Sequence, residues 1–342
     1  MAEKTPYTVD VFDEARDEAG VLELLSGSMG DASLWETGGL WRWKHVLNPF
    51  GRSLVLVARD PGGRVIGLRA FMRWGFVAGG EEIGGYRPVD TATDPSFRRR
   101  GIFSELTLRA LSDARDAGGD LVFNTPNRMS VGGYLKMGWT YVTDARASVR
   151  ISGYPRFAVR AAAQRLGLGP KAAPAWEGDG SVGELLSRGD ALERLISADL
   201  GWQRDLIVTR RSVEYARWRY MDHPVHRYGA VSIGDLDGCC FVRPVSRGGL
   251  RGLILGEFML SRPERDLVRG LVREAERTYR PDFVMAYAPA GSFLGGRLKG
   301  LGFRWRSGSG TNWVVNPLRG GIGPDPASAS SWPLGMSDLE FF

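Results

Sequence analysis

Residues 93–104 read TDPSFRRRGIFS, a stretch built to hold an anion. Arg98, Arg99 and Arg100 precede Gly101, and a periodic apolar run opens at Ile102. The first N–H groups of a helix have no intrahelical acceptor, and the helix dipole adds partial positive charge there. A glycine in such a turn lets the backbone approach a phosphate. Arginines add charge-assisted contacts. Thr93, Arg98, Arg99, Arg100, Gly101, Ile102, Phe103 and Ser104 are therefore the candidate phosphate-binding set. The plainer alternative is a solvated basic loop capping a core helix. A second constellation follows: Asn127 lies seven residues before Tyr134, and Gly138-Trp139 begins four residues after it. A tyrosine hydroxyl can pass a proton to a leaving group, or it can be a core residue whose hydroxyl finds a partner. Asp90, Glu81 and Glu82 are candidate bases. Asn124 could position a substrate, Trp41, Trp43 and Trp74 could line its pocket, and Glu257 could face it.

The remaining chemistry-bearing residues point nowhere specific. Cys239 and Cys240 are adjacent, with no CxxC pair, and read as small buried strand residues. Three histidines occur, His45, His223 and His226; the last two are interrupted by Pro224, and no third zinc ligand is nominated. No metal is expected.

Elements must place these residues. The spacing predicts a strand over 7–12, a helix over 13–26, and a helix over 39–47 ended by Asn48-Pro49. Strands follow over 53–59 and 64–74, joined by the turn Asp60-Pro-Gly-Gly63. A further strand is expected over 86–93. Ile102, Leu106, Ala110 and Ala114 recur at i+4 and predict a helix over 102–117. A short strand over 121–123, a helix over 130–136 and a strand from Trp139 complete the first half. Residues 153–189, containing GLGPKAAPAWEGDGS, read as a linker with a short helix.

The second half repeats the first. NTPNRMSVGGYLK (124–136) aligns without a gap to YAPAGSFLGGRLK (287–299), and each leads to a Gly-aromatic pair. Trp43 to Pro49 has the same spacing as Trp218 to Pro224. A tandem duplication is inferred. The second copy looks disabled, because LSRPERD (260–266) has no glycine, Arg297 stands where Tyr134 does, and Ala290 where Asn127 does.

In order, the first half is strand, Arg-x-x-Gly turn, helix, strand, and Asn-x6-Tyr-x3-Gly-aromatic. It resembles the GNAT acyltransferase superfamily over about 7–145. The resemblance implies that Arg98 and Gly101 lie in a coenzyme A pyrophosphate turn, with Asn127 near the cofactor. It implies Tyr134 as the acid for the leaving thiolate, and backbone N–H groups of 89–93 at the thioester carbonyl. One position departs: Phe103 replaces the usual small residue. A ring packed into the protein leaves the cradle usable; a ring aimed at the ligand does not. The expected fold is mixed α/β, with two tandem domains, each a twisted mixed sheet flanked by helices. The expected division is 1–150 with the acyl-CoA site, a linker over 151–189, a degenerate copy over 190–317, and a tail over 318–342.

The chain has 342 residues, 43% hydrophobic and 25% charged, which excludes collagen, a disulfide scaffold and general disorder. No run approaches the roughly 18 apolar residues of a membrane span, and the charged start MAEK lacks a signal's apolar core. A cytoplasmic monomer or homodimer is expected, with no membrane or nucleic-acid partner. The net charge of +6 suits an anionic ligand. It also leaves a basic nucleic-acid-binding module as the outside reading, although no zinc finger or recognition helix is found. The leading expectation is transfer of an acyl group, from acetyl-CoA or another acyl-CoA, to a small-molecule amine by direct attack. A protein or peptide acceptor, and a catalytically inactive scaffold, are the alternatives.

Overall fold

The computed structural model describes residues 6–28, 31–168, 181–289 and 291–339. In chain order the first elements are β1 (Thr8–Val11), α1 (Glu14–Ser28), α2 (Gly39–His45), β2 (Leu54–Arg59), β3 (Val65–Ala78) and β4 (Glu81–Thr93). Then come α3 (Ile102–Asp116), β5 (Leu121–Asn124), α4 (Val131–Lys136), β6 (Thr140–Ile151) and α5 (Tyr154–Arg165). The later elements are α6 (Ser181–Ser187), α7 (Gly189–Trp202), β7 (Ile207–Thr209), α8 (Val213–Ala216), β8 (Gly229–Ile233), β9 (Gly238–Arg247) and β10 (Leu250–Leu260). The chain finishes with α9 (Arg265–Tyr279), β11 (Phe283–Ala288), α10 (Phe293–Gly300) and β12 (Arg304–Pro317).

The chain divides into two compact units, and not at residue 150. Unit 1 takes 1–76, 82–141 and 314–322; unit 2 takes 77–81, 142–313 and 323–342. The reason is strand pairing. From residue 146 to 151, β6 pairs antiparallel with β11 of unit 2. Val314 to Pro317, at the end of β12, pair with β5 of unit 1. Leu318 N–H then donates to the Asp120 carbonyl at 2.8 Å. The expected linker over 151–189 carries the short helix read there, at 154–165, and a second over 181–187, while 169–180 lie outside the described residues.

Unit 1 is a mixed sheet in the order β1-β2-β3-β4-β5-β12. The pairs β1–β2 and β2–β3 are antiparallel, and β4–β5 is parallel across the α3 crossover. β3 and β4 both run longer than the apolar stretches suggest. They turn at Gly79-Gly80, whose φ angles of 61° and 84° suit glycine. α3 presents Ile102, Leu106, Ala110 and Ala114 to Leu56, Ala58, Ile66 and Phe71 of the sheet. Gly67 makes that packing possible, because a Cβ there would stand 2.6 Å from Ile102 Cγ2.

Unit 2 repeats the element order, with antiparallel β8-β9-β10, a parallel β10–β11 pair across α9, then α10 and β12. Its core joins Leu267, Val268, Leu271, Val272 and Ala275 of α9 to Leu253, Leu255 and Val284. The C-terminal segment folds onto this unit: Trp332 and Leu334 are each 2% exposed. Cys239 and Cys240 are both free and buried in β9.

Candidate active site

The site in unit 1 begins where β4 leaves β5. Among the described residues their parallel pairing spans only Gly85–Tyr86 against Leu121–Val122. β4 continues to Thr93 and kinks at Asp90, a non-glycine residue with φ of 44°. Such a conformation is costly for an L-residue and must be held by its surroundings. Asp90 is held on both oxygens. Lys44 Nζ lies 2.8 Å from Oδ1 and His45 Nε2 lies 2.9 Å from Oδ2, all three side chains being buried. His45 Nδ1 in turn meets Ser53 Oγ at 2.8 Å. α2 therefore pins the kink in β4.

This arrangement corrects the expected role of Asp90. Burial alone would push its carboxyl up, but Lys44 and His45 outweigh it and hold the group down at about 2. A carboxylate so held is a poor proton acceptor, and Asp90 serves as a strut. Glu82 is not at the site either. It is exposed near the start of β4, eight residues from Asp90, or about 26 Å along a strand. Trp41 does not line a pocket: it is 1% exposed, between the rings of Phe12 and His45. Trp43 and Trp74 are likewise core residues.

Tyr134 is brought to the kink by α4. Asn127 builds that helix start, its Oδ1 accepting from the N–H groups of Met129 and Ser130, each at 3.0 Å. Asn127 thus closes the turn that leads into the element carrying Tyr134, a local role that the cofactor-binding expectation did not include. Asn124, at the end of β5, is buried, and its side-chain oxygen accepts from the Thr125 N–H at 2.7 Å.

The residue that sequence reasoning missed is Arg69 on β3. It is 1% exposed, and Nη2 donates to Tyr134 Oη at 2.6 Å. Nη1 donates to Thr91 Oγ1, one residue past the kink. Its Nε has no hydrogen-bond partner among the described residues. The guanidinium lies 5.2 to 5.5 Å from the ring centroids of Phe71, Phe103 and Tyr134. Charge amid the apolar run VIGLRAFMRW was the available signal.

Phe103 resolves as the permissive case. Its ring packs edge-on to Tyr134 at 6.0 Å and 89°. Beside Gly101, with φ of 91°, nothing lies within 4 Å of where a Cβ would stand. Arg99 is also left-handed, with φ of 62°. Arg98 and Arg99 are exposed; Arg98 Nε donates to the Thr93 carbonyl at 3.4 Å. Arg100 folds back, 4.7 Å over the Phe97 ring, with Nη2 donating to the Ser96 carbonyl at 3.1 Å. Ile102 is buried and Ser104 exposed on the first turn of α3. The turn thus fits an anion such as a pyrophosphate, with Arg98 and Arg99 free to swing to it and Arg100 bracing the loop.

Glu257 belongs to unit 2. It accepts from Arg211 Nε at 2.7 Å and from Tyr220 Oη at 2.6 Å. His223 Nδ1 accepts the N–H groups of Val225 and His226 in a turn. Among the described residues no group of three His, Cys, Asp or Glu side chains is placed to hold a metal, and no helix is long and apolar enough to cross a membrane.

Residues 14–142 match the family model described as an acetyltransferase (GNAT) domain. A solved GCN5-related N-acetyltransferase from Anabaena variabilis is similar with a TM-score of 0.62 at 12% identity, covering 92% of this chain and 73% of that one. Another from Kribbella flavida gives 0.57 at 15% identity, covering 92% and 71%. Saccharomyces cerevisiae N-myristoyltransferase, solved with myristoyl-CoA, gives 0.55 at 10% identity, covering 97% and 86%. At these identities the likeness is one of fold. No curated protein matches the chain by sequence.

Proposed function

We propose that this chain, whose residues 14–142 match the model of a GNAT acetyltransferase domain, transfers an acyl group from acyl-CoA to the amine of a small molecule by direct attack. One observation carries the reading: the hydrogen bond from Arg69 to Tyr134. A tyrosine oxygen accepts and its proton donates. With Arg69 occupying the acceptor side, the Tyr134 proton must point to a third group, away from Arg69. That is the state required of an acid awaiting a leaving sulfur.

Acyl-CoA supplies an activated acyl carbon and a thiolate leaving group. The turn from Arg98 to Ser104 would hold its pyrophosphate through α3 N–H groups and arginine charge. Asp90's positive φ locally bends β4, and in this reading backbone N–H groups near 89–93 would polarise the thioester carbonyl. Tyr134 gives its proton to the sulfur as the C–S bond breaks and the C–N bond forms, and regains one from the proton the amine sheds. Fixing both reactants in one geometry supplies the rest of the acceleration. The unit 2 element order supports an origin by tandem duplication, with the cofactor turn lost from the second copy: α9 is preceded by Glu264 where α3 has Gly101.

The test is thiol release from acetyl-CoA with a panel of small amines. Wild type should turn over at least one of them. Tyr134→Phe should lose most turnover at unchanged acyl-CoA affinity. Equal turnover by the variant removes Tyr134 as the acid.

A further inference from the structure

We propose that helix α5 docks this chain on a membrane surface rich in anionic phospholipid, an inference that does not rest on the acyl-transfer reading. The helix is built inside out. A surface helix normally buries its apolar stripe and shows water its polar one. No residue of α5 is buried. Tyr154, Pro155, Ala158, Val159, Ala162 and Leu166, spaced three and four apart, are all exposed. Tyr154 and Val159 are 70% exposed, Leu166 72%, and Leu168 just beyond the helix 78%. The polar side turns inward instead. Arg160 Nη1 meets Asp282 Oδ2, a fully buried carboxylate, at 2.7 Å, and Arg156 Nη2 donates to the Pro281 carbonyl at 3.5 Å. Phe157 and Gln164 are half-buried beside them.

Charge says what covers the outward face. Residues 145–176 hold five arginines, one lysine and no acid. That equals the net charge of +6 of the whole chain, so the basic and acidic residues elsewhere balance. The lysine, Lys171, lies outside the described residues. Arg146, Arg150 and Arg160 meet Asp144, Glu276 and Asp282. Arg156 and Arg165 are exposed and meet no carboxylate among the described residues. A groove of about 930 Å³ beside α5 brings in two more cations: Tyr154 and Phe157 line it together with Arg247 and Arg304. Those two arginines are also exposed, and they too meet no carboxylate among the described residues.

Cations flanking an outward apolar strip fit one partner. Interfacial helices hold lipid through buried apolar area plus attraction to anionic headgroups, and each basic side chain near such a surface adds to that attraction. Nucleic acid would engage the arginines and leave Val159, Leu166 and Leu168 in water. A second copy on the same face would set its own arginines against these. The helix is a surface anchor and not a span: among the described residues no helix is long and apolar enough to cross a membrane. No membrane partner was expected from the sequence, because this helix is short and rich in alanine. Which of its sides faces outward is settled only by packing.

The experiment is sedimentation of the full chain with vesicles of phosphatidylcholine, alone or mixed with phosphatidylglycerol. The chain should pellet with the mixed vesicles only, and less so as salt rises. Arg156→Gln with Arg165→Gln should weaken binding at least about tenfold. Val159→Glu with Leu166→Glu should abolish binding and keep the wild-type melting transition, because those side chains are already exposed. Both variants leave the arginine turn of unit 1 intact, so they separate α5 from that cradle. Equal binding to neutral vesicles, no pelleting with either kind, or undiminished binding by the folded variants would each overturn the proposal. So would a lower melting temperature for the glutamate variant, which would mean that the chain itself covers the face, or a wild-type dimer that this variant dissolves.

Discussion

Arg69 sets what Tyr134 can do, and the pair makes separable predictions. Tyr134→Phe removes the proton but not the shape, so kcat should fall by about 10²-fold or more, with acyl-CoA affinity by calorimetry unchanged. Arg69→Met removes the group that orients the hydroxyl without leaving a buried charge. It should lower kcat at nearly constant KM for acyl-CoA and cost about 1–3 kcal/mol of stability, because Tyr134 and Thr91 lose a donor. A fall in acyl-CoA affinity with kcat intact would place Arg69 in binding instead. Tyr134 and the arginine turn were legible in the sequence because their spacing is local. Arg69 and Tyr134 are 65 residues apart, and Lys44 and Asp90 are 46 apart. Such pairs exist only once strands are in register, so Asp90 read as a base when it is a strut.

The kink in β4 depends on α2. Asp90→Asn removes the buried carboxylate that both Lys44 and His45 face and should be destabilising by up to about 3–5 kcal/mol, read as a lower denaturant midpoint. The pH dependence has a definite sign. The folded pKa, about 2, lies below the ordinary aspartate value, which is about 3.9. The stabilisation is therefore complete above about pH 4 and is lost as pH falls toward 2. The wild-type advantage over Asp90→Asn should shrink across that window; a constant difference would show that the ion pair is not its source. Helix α3 offers a cleaner probe of the cradle than Gly101, whose left-handed φ would strain any replacement. Ser104→Glu puts a negative charge on the first turn, where the helix dipole tolerates it and a pyrophosphate does not. Helix positions were readable because apolar period and turn residues agree. The ends of β3 and β4 were not, because strand pairing past Trp74 carries polar and glycine residues along with it.

Across the molecule, chain order misplaced the division into units. The strand after α4 was expected to close the first unit, but from residue 142 it belongs to the second, and residues 314–317 close the first instead. No local pattern encodes such an exchange, since either strand would satisfy the same alternation. The shared order of elements in the two units was legible, and so was the absence of a glycine ahead of α9. That Glu257 sits in a cavity within its own unit was not legible, because its partners Arg211 and Tyr220 lie 46 and 37 residues away in the chain. Acyl-CoA should accordingly bind unit 1 alone.

Calorimetric titration of the full chain with acetyl-CoA, beside Ser104→Glu, tests that claim most directly. The account predicts saturable binding at one site per chain in wild type and at least about tenfold weaker binding in the variant, with both melting alike. No binding by wild type, or equal binding by a folded Ser104→Glu chain, would contradict it.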